Sequence, residues 1–412
     1  MNQLLPTKFI ETTRQLFGDE RFERYLQSFD EEAPVSIRLN PLKAKDMKPA
    51  EGELVPWCRN AYYLKQRPNF TMDPLLHAGC YYVQEAASMF LDEVLLQMHN
   101  AYVNHQPSAI RPLVALDLCA APGGKSTLLR AGLPKDCVLY SNEPIRNRAS
   151  ILAENVQKWG HPNHIVSNNY PRDYRASKFG CDIILCDVPC SGEGMFRKDP
   201  ATIREWSPQN VEKCWQLQRQ IVDDAWHCLN PGGLLIYSTC TFNTKENEEN
   251  IRYFLEQYDD IKVLPIETRP EWHITGSLLE GFTEPVYRFI PGISRGEGLF
   301  MCVLQKDAHA EPPRRKQKEG GTSQLNIIAR NTNESSPYPR AELTYQQAIA
   351  YLRHEALILP EDTPRGLVEV CFMGHPLGQV KNIGTRANNL YPKEWKIKTT
   401  YIPSDYTPVI DV

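Results

Sequence analysis

The sequence predicts an α/β chain: an open, mostly parallel sheet with helices on both faces, carrying smaller α+β domains at its two ends. Three observations lead there. From Pro112 onward, short apolar runs alternate with helix-like segments, the pattern of βαβ units. A glycine-rich turn, LDLCAAPGGKS, follows the first of those runs. Two later runs each end in a cysteine beside turn residues, in CDIILCDVPCSGEG and GGLLIYSTCTFN. In open sheets of this kind ligands sit outside the carboxyl ends of the strands, so both thiols are expected to face one crevice.

At 412 residues the chain is too long for one ordinary core and predicts two or three domains. Its composition, 42% apolar and 23% charged, is that of a soluble globular protein, and no apolar run reaches the roughly eighteen residues of a membrane span. The twelve cysteines form no short-spaced framework and lie mostly inside apolar runs, which predicts free thiols in a reducing compartment, the cytoplasm. MNQLLPTKFIETTRQLF has no basic head or cleavage site and reads as an amphipathic helix. A net charge of −4 gives no global attraction to nucleic acid, so any such binding must use local patches. The stretch from His375 to Tyr401 offers one, with Lys381, Arg386, Lys393, Lys396 and Lys398 against Glu394, and Tyr391 and Trp395 interleaved. It reads as a phosphate-and-stacking surface or as a solvated charged face.

Along the chain, residues 1–110 form an accessory domain that opens with the amphipathic helix, passes through PVSIRLNPLK and ends in YYVQEAASMFLDEVLLQM at helical spacing. Residues 111–306 hold the core, with five strands in VALDLCA, VLYSNE, HIVSNN, CDIILCDVPC and GGLLIYSTC. The helix NRASILAENVQKW stops at Gly160. A longer one takes Ser207 as N-cap and Pro208 as first residue, and runs to Asn230-Pro231-Gly232-Gly233. VYRFIPG and GLFMCVLQK lack room for a crossover helix between them and predict an antiparallel hairpin at the sheet's edge, closing the core near Lys306. Residues 307–325, rich in proline, glycine and charge, read as a linker. Residues 326–412 form a small α+β module, with a helix in LTYQQAIAYLRHEAL and strands in GLVEVCFMG, HPLGQVKNIG and WKIKTTYI.

Gly124-Lys125-Ser126 imitates the end of a triphosphate-binding loop, but that motif needs glycine where this chain has Cys119. What remains is a strand, a tight Ala-Ala-Pro-Gly-Gly turn and a helix from about Lys125. Glu143, at the end of the second strand, stands where an acidic side chain accepts hydrogen bonds from ribose hydroxyls. Together they imply a cofactor containing adenosine, and the missing GxGxxG argues against a dinucleotide. Cys186 and Cys190 have no second pair at zinc-site spacing, so no metal is expected. Most cysteines of the chain read as small buried hydrophobes; Cys190 and Cys240 differ because each ends a strand beside turn residues.

Asp117-Leu118-Cys119-Ala120-Ala121-Pro122-Gly123-Gly124-Lys125, Asp187-Val188-Pro189-Cys190-Ser191-Gly192-Glu193-Gly194 and Tyr237-Ser238-Thr239-Cys240-Thr241 resemble the motifs of the NOL1/NOP2/Sun family of RNA cytosine-C5 methyltransferases. The likeness extends to Ser36-Ile37-Arg38-Leu39-Asn40-Pro41, to Tyr82-Val83-Gln84-Glu85-Ala86 and to the tail HPLGQVKNIGTRANNLYPKEW, whose order of parts is similar to a bacterial 16S ribosomal RNA branch. The resemblance implies a Rossmann-like S-adenosylmethionine-dependent core between N- and C-terminal RNA-binding domains, the latter PUA-like, and 16S rRNA or the small ribosomal subunit as partner to a monomer. It implies that Cys119, Ala120, Ala121, Pro122, Gly123, Gly124 and Lys125 wrap the cofactor and that Glu143 holds its ribose. Asn169 stands where the family places an aspartate against the adenine. Asp187 would lie between cofactor and target base, Cys240 would attack carbon 6 of cytosine, and Cys190 would assist release. Arg38, Arg146 and Arg148 are candidates for RNA or pocket contacts. Transfer RNA as substrate, an amine or protein methyltransferase, and a non-catalytic ribosome-assembly factor stand as rival readings.

Overall fold

In the computed structural model, residues 5–102, 112–311, 324–332, 336–399 and 401–411 are described. The expected boundary at 110/111 and the middle of the expected linker, 312–323, lie outside them. The chain opens with α1 (Thr7–Phe17) and α2 (Asp19–Gln27), which bury Phe9, Phe17, Phe22 and Tyr25 along one side. A four-stranded antiparallel sheet follows, made of β1 (Val35–Leu39), β2 (Gly52–Leu54), β3 (Ala61–Leu64), then after α3 (Pro74–His77) β4 (Tyr81–Val83), in the order β2-β3-β1-β4. Tyr81–Val83 was expected to be helical. It pairs with β1, and the apolar spacing becomes helical only in α4 (Phe90–Tyr102).

The core then alternates β5 (Val114–Asp117), α5 (Gly124–Gly132), β6 (Val138–Asn142), α6 (Arg146–Trp159), β7 (His164–Ser167), α7 (Pro171–Ala176), β8 (Cys181–Asp187), α8 (Ala201–Glu205), α9 (Pro208–Cys228) and β9 (Leu229–Thr239). β5 to β9 are the five expected parallel strands. Gly160 caps α6 in the left-handed region at φ 76°, and the Ser207 side chain accepts the Asn210 amide at the start of α9. After α10 (Glu248–Gln257) come β10 (Ile261–Leu264), β11 (Tyr287–Phe289) and β12 (Leu299–Lys306). β11 and β12 are antiparallel as expected, yet β12 is no edge: β9 takes one side, and β10 with β11 share the other.

One strand lies where the sequence did not place it. β13 (Ile327–Asn331) pairs antiparallel with β7 and extends the core sheet to nine strands, in the order β10-β12-β9-β8-β5-β6-β7-β13 with β11 on β12. Residues 326–331 therefore belong to the core sheet, not to the C-terminal module. Their alternation of half-buried and exposed residues suits an edge strand with one face covered.

The C-terminal module holds β14 (Arg340–Glu342), α11 (Tyr345–Leu352), β15 (Gly366–Phe372), β16 (His375–Asn382) and β17 (Ala387–Asn389) in a second four-stranded sheet. WKIKTTYI, expected as a strand, begins in a single turn at Lys393–Trp395, and its described residues join no sheet. The module is not tethered loosely. Leu352, Val370, Val380 and Ile410 form one core with Ile37, Leu39, Leu75 and Tyr81 of the N-terminal domain. No described helix is long and apolar enough to cross a membrane.

Candidate active site

The site is assembled where β5, β6, β8 and β9 end. The peptide leaves β5 through Leu118–Pro122, and Gly123 adopts φ 116°, a conformation only glycine takes without strain, to start α5. That start brings Lys125 Nζ to 2.9 Å from Asp187 Oδ2 at the end of β8. Burial works to lower the Lys125 ammonium, but the Asp187 carboxylate outweighs it and its pKa is raised. Asp117 accepts Ser126 Oγ at 2.5 Å through Oδ2, while its buried Oδ1 has no hydrogen-bond partner among the described residues. Burial pushes its carboxyl up to about 7.

Cys190 and Cys240 meet as the sequence predicts, Sγ to Sγ at 3.3 Å, and the Cys240 amide points at Cys190 Sγ at 3.4 Å. The hydrogen bond to Cys240 and burial together raise the Cys190 thiol well above its ordinary value.

Two buried carboxylates that sequence reasoning left without a role hold this pair. Glu193 Oε2 accepts Thr241 Oγ1 at 2.7 Å, Phe242 N at 2.8 Å and Asn243 N at 2.9 Å, and Oε1 accepts Trp206 Nε1 at 3.0 Å. Glu246 accepts Ser191 N at 3.0 Å, Gln218 Nε2 at 2.8 Å and Asn243 Nδ2 at 2.7 Å. Each therefore ties the Cys190 turn to the Cys240 turn. The signal was present for Glu193, inside the quoted CSGEG motif, whereas Glu246 lies in a run of charged residues that reads as solvent-exposed. Gly194 and Gly298 let the backbones touch: a Cβ on Gly298 would stand 2.4 Å from Gly194 Cα and 2.8 Å from the Phe242 ring.

Around the cofactor turn, Glu143 Oε1 accepts Ile145 N at 3.0 Å, and Arg148 bridges its other oxygen at 3.5 Å and the Ala121 carbonyl at 3.2 Å. Ile145 leaves 54% of its surface uncovered beside Glu143, an apolar face the sequence did not single out. Several candidate residues are engaged within the chain itself. Asn169 gives both ends of its amide to the Asn326 backbone, as donor at 3.3 Å and acceptor at 2.9 Å, because β13 docks there. Arg38, a candidate for RNA or pocket contacts, is 2% exposed; it lies 4.5 Å over the Trp159 ring and donates to Gln84, to Thr127 and to Gly124 of the glycine-rich turn, locking the N-terminal sheet to α5. In the basic stretch of the tail, Tyr391 is buried and so closed to a base, while Trp395 is half-buried, packing edge-on against Tyr391 with the Lys158 ammonium 5.5 Å over its ring. Lys381, Arg386, Lys393, Lys396 and Lys398 are exposed there, as is Arg146 beside the cofactor turn.

A parallel sheet with a glycine turn, an acidic second strand end and an unsatisfied buried carboxylate oxygen suits a cofactor carrying a ribose and an ammonium group. The fold and site define an S-adenosylmethionine-dependent methyltransferase. Family models match along the chain: 16S rRNA methyltransferase RsmB/F over residues 110–305, the N-terminal domain of 16S rRNA methyltransferase RsmF over 5–86, and the methyltransferase RsmF PUA domain over 338–397. Ribosomal RNA small subunit methyltransferase F of Erwinia tasmaniensis is 27% identical, covering 94% of this chain and 96% of its own length. That of an Enterobacter species is 30% identical, covering 92% and 81%. A solved methyltransferase homolog from Pyrococcus horikoshii is 26% identical with a TM-score of 0.59, covering 74% of this chain and 97% of its own. The chain belongs to the RsmF family: it is an RNA methyltransferase that uses S-adenosylmethionine.

Proposed function

We propose that the chain methylates carbon 5 of a cytosine in 16S ribosomal RNA through a transient bond between Cys240 and carbon 6 of the ring. The single observation that carries this reading is the pair of sulfurs at 3.3 Å, Cys190 and Cys240, at the ends of neighbouring strands. Carbon 5 of cytosine is too weak a nucleophile to take a methyl group unaided, and addition of a thiolate at carbon 6 activates it. An exocyclic amine needs no such help, so a methyltransferase acting there would have no use for two apposed thiols.

The roles follow from position. Cys240, held by the three donors on Glu193 Oε2, attacks carbon 6. Asp187, oriented by Lys125, meets ring nitrogen 3, where charge develops. The turn from Cys119 to Lys125 and Glu143 would hold S-adenosylmethionine, which when bound would supply the methyl group. Cys190 assists removal of the proton at carbon 5, and the Cys240–carbon 6 bond breaks by elimination. The target base must leave its stack, at a cost of a few kcal/mol, and the exposed basic stretch of the C-terminal module is the surface to grip the flanking RNA. The domains are read as 1–110, a core of 111–306 with β13 added, and the C-terminal module after it.

The product identifies the reaction. Small ribosomal subunits and free 16S RNA, methylated by the purified chain and digested to nucleosides, should yield 5-methylcytidine by mass spectrometry. N4-methylcytidine, or methylation of transfer RNA alone, would contradict the reading.

A further inference from the structure

β13 runs antiparallel to β7, so its beginning, not its end, lies at the carboxyl side of the sheet, where Ile327 pairs with Ser167. The interdomain segment thus enters the sheet beside the cofactor crevice. Asn326, just ahead of β13, is fastened there on all sides. Its carbonyl accepts Asn168 N at 3.0 Å and Asn169 Nδ2 at 3.3 Å, its amide donates to Asn169 Oδ1 at 2.9 Å, and its Nδ2 donates to Asn168 O at 3.4 Å. Asn168 in turn donates to the carbonyls of Glu143 at 2.7 Å and Pro144 at 3.0 Å, the turn that carries the ribose-binding carboxylate and the exposed Ile145. Leu325 packs on the same core as Leu118 and Tyr174.

Two consequences follow. Asn169, the residue at the usual adenine position, already turns its Oδ1 to the Asn326 amide and its Nδ2 to the Asn326 carbonyl. Asn326 is exposed, and its Oδ1 accepts no hydrogen bond among the described residues, while Nδ2 is already engaged and so fixes which atom is free. An oriented carbonyl oxygen is the partner for an exocyclic amino group. We infer that Asn326, on the segment joining the core to the C-terminal module, receives the 6-amino group of the S-adenosylmethionine adenine in place of the side chain at 169. The inference rests on the cofactor lying in the crevice described above.

Binding to the full chain tests it, using S-adenosylhomocysteine and S-inosylhomocysteine, which carries oxygen in place of that amino group. The wild type should prefer the adenosyl form. Asn326→Ala should narrow this preference about fivefold, the size of one neutral hydrogen bond, by weakening the adenosyl form alone. An unchanged preference, or equal weakening of both ligands, would overturn the inference, the latter marking a merely structural role. Glu143→Gln separates the two readings: weaker binding of both ligands supports the crevice. If Glu143→Gln changes neither, the cofactor site itself is misplaced and the inference falls with it. Melting temperatures of both variants near that of the wild type exclude unfolding as the cause.

Discussion

Glu193 shows how much of this site is decided by residues that never meet substrate. One of its oxygens receives three donors from the turn that carries Cys240. Glu193→Gln keeps the shape but turns an acceptor into a donor facing those groups. The expected outcome is a fall in kcat of one to two orders of magnitude, about 1.4–3 kcal/mol, with cofactor affinity unchanged in a direct titration. Asp117 gives a prediction in pH. Its carboxyl is raised by burial to about 7, above its unfolded value, so the native state binds a proton that the unfolded chain releases first. Its contribution is present below the ordinary carboxylate range and is lost as pH rises through about 7. The unfolding free energy of the cofactor-free chain, from urea titrations, should therefore fall by about 2–4 kcal/mol between about pH 5 and pH 8. Asp117→Asn should flatten that slope, and a slope of the same size in the variant would assign it elsewhere.

At the scale of elements, the turns bearing the two cysteines are held in place by the N-terminal helices. Phe9 meets Phe196 at 4.9 Å between centroids, and Phe17 and Tyr25 meet Phe242 at 5.4 and 5.5 Å. Gly298→Ala pushes a methyl group into Gly194 and Phe242. It is expected to lower kcat more than tenfold while binding of S-adenosylhomocysteine, proposed at the turn after β5, stays within twofold. Equal loss of both would show that the turn and the cofactor loop move as one. The five parallel strands, the caps of α6 and α9 and the pairing of the two thiols were legible in the sequence because each rests on local signals: apolar runs, glycine and serine at helix ends, and motif spacing. β13 was not legible, because five residues, IIARN, following a proline- and charge-rich segment are too few to show a period. The fates of Asn169 and Arg38 were hidden because both are settled by partners distant in sequence, Asn326 and Thr127. The stretch with Tyr391 and Trp395 reads from composition as a stacking surface or a solvated charged face, and only packing shows Tyr391 buried and Trp395 set against it and Lys158.

Across the whole molecule, the N-terminal domain and the C-terminal module share one core, reinforced by Tyr406 and Tyr81 on the two oxygens of Asp73 at 3.1 and 2.8 Å. The two ends of the chain thus close on each other beside the methyltransferase sheet. Leu352→Ala, removing a fully buried side chain of α11, should cost about 2–5 kcal/mol. Hydrogen exchange should then rise together in β1 and β15. Exchange confined to β15 would show that the module unfolds alone.

The central claim is that Cys240 bonds to the base and Cys190 lets it go, and one electrophoresis experiment reaches it most directly. Each variant is incubated with S-adenosylmethionine and 16S ribosomal RNA, then run under denaturing conditions. Cys190→Ala should accumulate a covalent protein–RNA adduct, and Cys240→Ala should form no adduct and no methylated product. An adduct with Cys240→Ala and none with Cys190→Ala would exchange the two roles, and the absence of an adduct in both with methylation intact would remove the covalent mechanism.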